Sequence, residues 1–521
     1  MDRKTLISIL QQPAAYDHPV EQVQFRETHI SLVFLTGEFV YKIKKSVDFG
    51  FLDFSSLEKR KHYCEEEIRL NGRLAPQLYL EVVPICGDSR SARIGGTGPA
   101  IEYAIKMRQF DTHQEFNALL LRNELSKSHI DEAAEVIADF HSTIAIAREH
   151  QTFSTPEVVQ HFANENFDQI AKLGETWLAK HSLLETLRCL QRWTDDQNSK
   201  LAAVFAARKE SGFVRECHGD LHLRNIVVYD DKVTPFDGIE FNDQLRWIDV
   251  MSDIAFLLMD LEDHGRFDLS RRLRNQYLSS TGDYAGLAVL RYYLAYRAMV
   301  RAKVAGLKLL QSDTRDDVSS TEIENYIQLA AGYTQHGKAK LIISHGLSGS
   351  GKTFLSQMLL EQSDIIRIRS DVERKRLFNI EESHHNNPGI ESGLYSKDVS
   401  RQTYDHLLRL SDEILKAGYS VLVDAAFLKK EQRQLFCNYA NSLGVPFLIC
   451  HSVADIDIQR QRLEQRARRG NDASDANIEV LEQQLRGHEP ISLEEEPFTI
   501  GVDTNGDPDL SQVVSWLEAT H

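Results

Sequence analysis

The chain has 521 residues, 42% hydrophobic and 26% charged, with 12 prolines and a formal net charge of −17. That make-up excludes a disordered or fibrous protein, and the length exceeds what one hydrophobic core supports, so two or three domains are expected. The acidic balance argues against nucleic acid as a general partner, because non-specific affinity comes from Lys and Arg neutralising phosphates.

The start, Met1 to Leu10, is charged and lacks a long apolar core, so no secretion signal is expected. Apolar runs such as Ile254 to Met259 fall far below the ~20 residues that span a membrane. Cys64, Cys86, Cys189, Cys217, Cys437 and Cys450 show neither close pairs nor metal-type spacing. Reduced thiols in a cytoplasmic protein are the expectation.

Ile30 to Leu35 and Phe39 to Lys44 read as two strands around the turn Thr36-Gly37-Glu38. Leu57 to Leu74 follows as a helix ending at Ala75-Pro76. Tyr79 to Ile85 and Ala100 to Met107 flank a glycine-bearing polar connection and predict an antiparallel pair. From Phe110 to about Arg208 the pattern is helical, and a strand pair, Ile226 to Tyr229 and Val233 to Asp237, follows. Helical periodicity then returns over Tyr292 to Leu310 and Ile323 to Tyr333. The polar stretch Thr334 to Lys338 marks a boundary, giving domains 1–335 and 336–521. Beyond it, apolar strands at Leu341 to Ser344, Ile365 to Ile368, Tyr419 to Val423 and Pro446 to Cys450 alternate with helices. That alternation predicts α/β with a parallel sheet.

Two motifs carry chemistry. In His218-Gly-Asp-Leu-His-Leu-Arg-Asn225 the spacing lets a turn offer the Asp220 carboxylate to an acceptor hydroxyl as catalytic base, while Asn225 binds a metal. Twelve residues on, Asp237 ends a predicted strand and would bridge magnesium to nucleotide phosphates. This constellation resembles the aminoglycoside phosphotransferase and choline kinase branch of the protein-kinase-like fold, over roughly Gln24 to Leu310, with Asp237-Gly-Ile-Glu240 in place of Asp-Phe-Gly. The resemblance implies an α+β, two-lobed domain with an ATP cleft lined by Met107 to Phe110. It also implies a strand lysine on the α/β-phosphates and a helix glutamate holding that lysine. Lys42 and Glu67 are the choices, but Lys42 and Lys44 share a strand face and Glu65, Glu66 and Glu67 are consecutive, so spacing alone leaves the pair open. Asp253 resembles the aspartate that braces the catalytic loop in such kinases.

The second motif is Gly346-Leu-Ser-Gly-Ser-Gly-Lys-Thr353, a P-loop. Gly346, Gly349 and Gly351 give turn freedom, so that backbone N–H groups, those of Ser348 and Ser350 included, surround the phosphates. Lys352 reaches the β/γ-phosphates as a catalytic cation, and Thr353 ligates magnesium. Asp371 is the expected general base; Asp424 closes a Walker B-like strand, on the metal or the acceptor. Arg462 and Arg466 share a helix face. Asp371-x-x-Arg374 and this arginine-bearing helix resemble small P-loop kinases of the gluconate kinase, zeta-toxin and polynucleotide kinase type. The resemblance implies that Arg374 binds an anionic part of the acceptor and that Arg462 and Arg466 form a lid over the nucleotide. His384 and His385 lack a third ligand and read as a polar loop.

The expectation is therefore an ATP- and Mg2+-dependent phosphotransferase with two nucleotide sites and small-molecule hydroxyl acceptors. A nucleic-acid 5′-hydroxyl stays open for the second domain. One rival is a P-loop kinase regulated by a nucleotide-binding, pseudokinase-like N-terminal half; another is an ATP-switched interaction protein.

Overall fold

The computed structural model describes residues 2–50, 52–88, 91–311, 317–335, 337–378, 397–469 and 478–519. It divides into two compact units, Met1–Leu261 with Tyr296–Ile327, and Glu262–Ala295 with Gln328–His521. The helix Phe267–Thr281 precedes the expected boundary at 335 in sequence, yet lies with the second unit in space.

The first unit opens with a six-stranded antiparallel sheet of order β1-β2-β3-β6-β4-β5. Its strands are β1 (Gln24–Glu27), β2 (Ser31–Leu35), β3 (Phe39–Lys44), β4 (Tyr79–Cys86), β5 (Arg93–Ile94) and β6 (Ala100–Arg108). Strand alternation sorts the side chains of β3 by chemistry. Tyr41 and Ile43 enter a core with Leu6, Leu10, Phe34 and Ile85, while Val40 packs on the opposite side with Cys64, Tyr79 and Ile105. Lys42 and Lys44 share that second side.

The helix Leu57–Asn71 covers this side, capped by Ser56, whose hydroxyl accepts from the Lys59 N–H. Its buried residues are Arg60, Cys64, Glu67, Leu70 and Asn71, the stripe a 3.6-residue period produces. That periodicity aims Glu67 inward and leaves Glu65 and Glu66 on the outer faces. The helix stops at Asn71 with Gly72 as its C-cap, short of the Leu74 expected from sequence, and the Asn71 side chain accepts from the Gly238 N–H at 2.7 Å.

Further along lie the antiparallel pairs β7 (Val214–Glu216) with β10 (Trp247–Asp249), and β8 (Ile226–Tyr229) with β9 (Lys232–Pro235). The helices Lys127–Thr143, Pro156–Ala171 and Leu184–Glu210 also belong to this unit. Strand β9 ends at Pro235, so Asp237 sits two residues past it, with φ +61 rather than in extended backbone.

The second unit holds a five-stranded parallel sheet of order β12-β13-β11-β14-β15. Its strands are β11 (Leu341–His345), β12 (Ile365–Arg369), β13 (Ser420–Asp424), β14 (Phe447–Val453) and β15 (Thr499–Asp503). Every residue of β11 is buried, as a central parallel strand requires. Because β13 and β14 lie on either side of β11, the loop after β11 emerges where strand order reverses, the crevice in which open α/β sheets bind ligands. Edge strand β12 is covered by Asn275, whose side chain accepts from the Arg367 N–H at 2.7 Å and donates to the Ile365 carbonyl at 3.1 Å.

Candidate active sites

In the first unit, five charged residues interlock. Lys42 Nζ lies 2.6 Å from Asp237 Oδ1 and 2.8 Å from Glu67 Oε1. Lys44 Nζ donates to Glu67 Oε2 at 2.6 Å and to Glu240, and sits 4.9 Å over the Phe54 ring. Of the two open choices, then, Glu67 is the glutamate that meets the lysines, and it meets both. Glu66 instead pairs with Arg69 at 2.8 Å and Glu65 faces Lys61 at 3.6 Å.

The two lysines differ in access. The Lys44 side chain is wholly buried, whereas that of Lys42 keeps 17% of its surface and its partner Asp237 keeps 43%. Burial disfavours the charge on both, but the carboxylates of Asp237 and Glu67 outweigh it at Lys42, and Glu240 and Glu67 do so at Lys44, so both ammonium pKa values are raised. Burial also drives the Glu240 carboxyl upward, against the pull of Lys44.

Gly219 (φ +84) turns the catalytic loop, and a Cβ there would lie 2.7 Å from the Leu245 carbonyl oxygen. Asp253 braces the turn from below: Oδ1 accepts from the Gly219 N–H at 2.8 Å and Oδ2 from the His218 N–H at 3.1 Å. Arg297 adds bonds to the carbonyls of Ser252 and Gly219. On this platform Asn225 Nδ2 donates to Asp220 Oδ2 at 3.1 Å and to the Asp220 carbonyl at 2.9 Å. With Nδ2 so used, Oδ1 is the atom of that side chain able to ligate a cation. Burial opposes the Asp220 charge, but His222, its Nε2 3.5 Å away, holds the carboxyl well below its usual range, and Asp220 stays ionised at neutral pH. Asp237 is positioned through its backbone, its N–H donating to Tyr79 Oη at 3.1 Å.

In the second unit the P-loop joins β11 to the helix Lys352–Gln362, which Gly351 caps at φ +91. Two of its glycines are required by close approach as well as by φ. A Cβ on Gly349 (φ +79) would lie 2.6 Å from the Gln459 carbonyl oxygen, and one on Gly346 would lie 2.5 Å from Ser452 Oγ. Ser350 and Ser452 share a 2.7 Å hydroxyl bond beneath the loop. Lys352 Nζ donates to the Leu347 carbonyl at 2.8 Å, and the Ser348 N–H donates to Gln484 Oε1 at 2.8 Å.

The remaining expected residues gather around this loop unevenly. Asp424 ends β13, and its Oδ2 accepts from Ser356 Oγ at 2.8 Å, one helical turn beyond Thr353. Asp371 opens the helix Ser370–Leu377 and pairs with Arg369 at 2.9 Å, while Arg374 Nε reaches Thr403 Oγ1 at 3.5 Å. Arg462 donates to the Gly349 carbonyl at 3.2 Å and to the Thr504 carbonyl, so it clasps the loop from behind. The side chain of Arg466 lies outside the described residues, as do His384 and His385.

Sequence reasoning gave no role to Glu240, although it stands in the Asp237-Gly-Ile-Glu240 motif, and passed over Ser356, one turn beyond Thr353. Gln484 and Thr504 come from distant segments and carry no signal.

The geometry fits nucleotide chemistry in both units. The P-loop glycines leave no room for side chains, and in the first unit a lysine, two acids and an asparagine form a compact set of hard oxygen and ammonium groups. Two family models match the chain. Residues 51–293 match the model of the phosphotransferase enzyme family, and residues 341–491 match that of an AAA domain. The uncharacterized protein Rv2004c of Mycobacterium tuberculosis is 29% identical over 460 residues, 88% of this chain and 89% of its own. Among solved structures, a choline/ethanolamine kinase family protein from Mesorhizobium loti is 12% identical and covers 64% of this chain and 95% of its own, at TM-score 0.39. A gluconokinase from Sinorhizobium meliloti 1021 is 18% identical and covers 34% of this chain and 89% of its own, at TM-score 0.24. The chain thus joins a phosphotransferase domain to a P-loop, kinase-like domain, and it is an enzyme of the kinase type. Among the described residues no helix is long and apolar enough to cross a membrane.

Proposed function

We propose that this chain is a bifunctional, cytoplasmic, Mg2+- and ATP-dependent phosphotransferase, with one nucleotide site in residues 1–335 and another in 336–521, each serving a small-molecule hydroxyl acceptor. The observation that carries the reading is the Lys42 ammonium standing between Glu67 and Asp237. A phosphate-seeking cation is thereby held beside the acid that would take the metal, and the Asp220–Asn225 pair supplies a base and a second ligand.

In the first site Lys42 binds the α/β-phosphates, Glu67 fixes it, and Asn225 and Asp237 hold the metal. Asp220 orients the acceptor hydroxyl and takes its proton as the oxygen attacks. Being ionised, Asp220 is ready to accept, although its low pKa means the proton transfers late, as the attacking oxygen becomes acidic. In the second site the backbone of Gly346 to Lys352 wraps the phosphates, Lys352 follows the transferring group, and Thr353 ligates the metal. Asp371 is the base, Arg374 holds an anionic part of the acceptor, Asp424 backs the metal or acceptor, and Arg466 closes the lid, while Arg462, expected there too, leaves the Gly349 and Thr504 carbonyls to join it. Bound metal and triphosphate supply charge neutralisation and the leaving group; the side chains supply position.

The test uses full-length protein, labelled ATP and a metabolite extract. Asp220→Asn is expected to abolish one set of phosphorylated products and Lys352→Ala a different set. If neither variant loses any product or any ATP turnover, the reading fails. If Asp220→Asn loses none and Lys352→Ala loses all, the first unit is a regulator and not an enzyme.

A further inference from the structure

Arginines packed inside the first unit end on acceptor oxygens. Arg60 pairs with Glu102 at 2.8 Å and Arg208 with Asp249 at 2.6 Å. Arg297 bonds the carbonyls of Ser252 at 2.9 Å and of Gly219, the residue before Asp220, at 3.1 Å. Arg301 lies one turn further along the same helix, Leu287–Gln311, and so shares the face that meets the catalytic loop. It is half-buried, and its Nε donates to Tyr326 Oη at 3.3 Å. Among the described residues nothing takes its Nη1 or Nη2 as a hydrogen-bond or ion-pair partner. Neither Nη is a buried atom without a partner, so both have accessible surface.

The Arg301 charge reaches the proposed base. Burial opposes the Asp220 charge, and His222, His218 and then Arg301 draw the carboxyl down against it. The Asp220 side chain keeps 38% of its surface, so it is open to a reactant. Asp260, another carboxylate acting on Arg301, is 3% exposed and accepts from the Leu223 N–H at 2.9 Å. What stays accessible here is one carboxylate suited to a hydroxyl and one cation with two nitrogens to spare. The nucleotide has its own cation in Lys42, carried on β3, whereas Arg301 comes from a helix that braces the catalytic loop through Arg297. The other reactant is the one left for it. An arginine fork matches two anionic oxygens side by side, and a cationic acceptor would meet it as a like charge.

We propose that Arg301 binds the acceptor of the first site, and that this acceptor is a hydroxyl compound carrying a phosphate or carboxylate group. The inference rests on the phosphotransferase reading of that site. Nη1 and Nη2 donate to two oxygens of the anionic group, Nε stays on Tyr326, and the reacting hydroxyl turns to Asp220. Neutral and cationic hydroxyl compounds lack that pair of oxygens and bind weakly, so Arg301 sets the specificity of the site.

The experiment uses full-length Lys352→Ala protein, so that turnover arises at the first site, with labelled ATP and a metabolite extract split on an anion exchanger. Products lost when Asp220→Asn is added are the first-site products. They are expected from the retained, anionic fraction and not from the flow-through of neutral and cationic compounds. Phosphatase treatment of the retained fraction, followed by removal of the phosphatase, abolishes a phosphate-ester acceptor and spares a carboxylate. With the acceptor so found, Arg301→Gln should raise KM roughly tenfold to a hundredfold, the worth of a charge-assisted pair, and leave kcat unchanged. Its melting temperature and Mg·AMP-PNP affinity should match the native chain, and Arg301→Lys should recover part of the loss. First-site products from the flow-through overturn the proposal, and that arm needs no Arg301 variant. An unchanged KM in Arg301→Gln overturns it equally. If no product from any fraction depends on Asp220, the photransfer reading of the first site fails instead, a result distinct from both.

Discussion

Replacing Lys44 by Met and, separately, Lys42 by Met separates two lysines that the sequence could not tell apart. Lys44 has no exposed side-chain surface, and its partners Glu67 and Glu240 are 0% and 6% exposed. Removing it leaves buried carboxylates with a partner lost, which costs about 3–5 kcal/mol. At roughly 2–4 °C per kcal/mol for a unit of this size, the first unit's melting transition should fall on the order of 10 °C. Lys42→Met removes a cation whose partner Asp237 is 43% exposed and leaves Glu67 still paired with Lys44. Its stability loss should be about 1–3 kcal/mol, the range for one charged hydrogen bond, while Mg·ATP affinity and turnover at the first site collapse.

The pH dependence gives the same experiment a sign. Burial raises the Glu240 carboxyl pKa, and Lys44 exerts the strongest pull against it. A carboxyl whose folded pKa exceeds its unfolded value makes folding take up a proton, so Lys44→Met should regain stability as pH falls through that raised folded pKa. Differential scanning calorimetry at several pH values, with nucleotide titrations alongside, reads both effects. Adding Glu240→Gln to Lys44→Met should recover part of the loss by removing the stranded charge. Equal melting losses for the two single variants, with turnover retained in Lys42→Met, would refute the division into structural and phosphate-binding lysines.

Gln484→Ala removes the side chain that accepts from the Ser348 N–H. A phosphate oxygen then meets no competitor for that donor, so nucleotide affinity at the P-loop is expected to rise severalfold, read by fluorescent-nucleotide titration; unchanged or weaker binding would count against the competition. In the same unit the buried Arg433–Glu495 pair, at 2.7 Å, is acid-labile. Burial opposes the Glu495 charge, but bonds from Arg433 and Ser492 lower its pKa from 4.5 to about 2. Its stabilisation is complete above the unfolded pKa and lost as pH falls through the folded value. Between pH 5 and 2, Glu495→Gln should therefore show a shallower fall in melting temperature than the native chain.

Much of the molecule was legible because its signals are local. Strand β11 reads from its unbroken apolar run, β3 from alternation, and the P-loop from glycines whose φ values and close contacts admit little else. Strand β1, Gln24–Glu27, was missed because an edge strand of largely exposed residues carries no hydrophobic pattern. The three-residue strands β7 and β10 are too short to show a period. The ion-pair question turned on helix phase, which places Glu67 on the buried stripe but cannot reveal that two lysines share it. Least legible was the attachment of Glu262–Ala295 to the second unit. It depends on Asn275 and Arg272 meeting β12 and Glu361 some ninety residues later, contacts with no local signature.

The carboxylate partners of Lys42 bear on how the first candidate site treats the metal. A triphosphate that draws Lys42 toward itself leaves Asp237 facing further negative charge, and only a cation arriving with the nucleotide offsets that repulsion. Nucleotide binding in the first unit is accordingly expected to depend on Mg2+. The wholly buried Lys44–Glu67 pair keeps Glu67 anchored while Lys42 changes partner. That gives the second lysine on β3 a physical reason to exist: it lets the first one move without loosening the helix that positions Glu67.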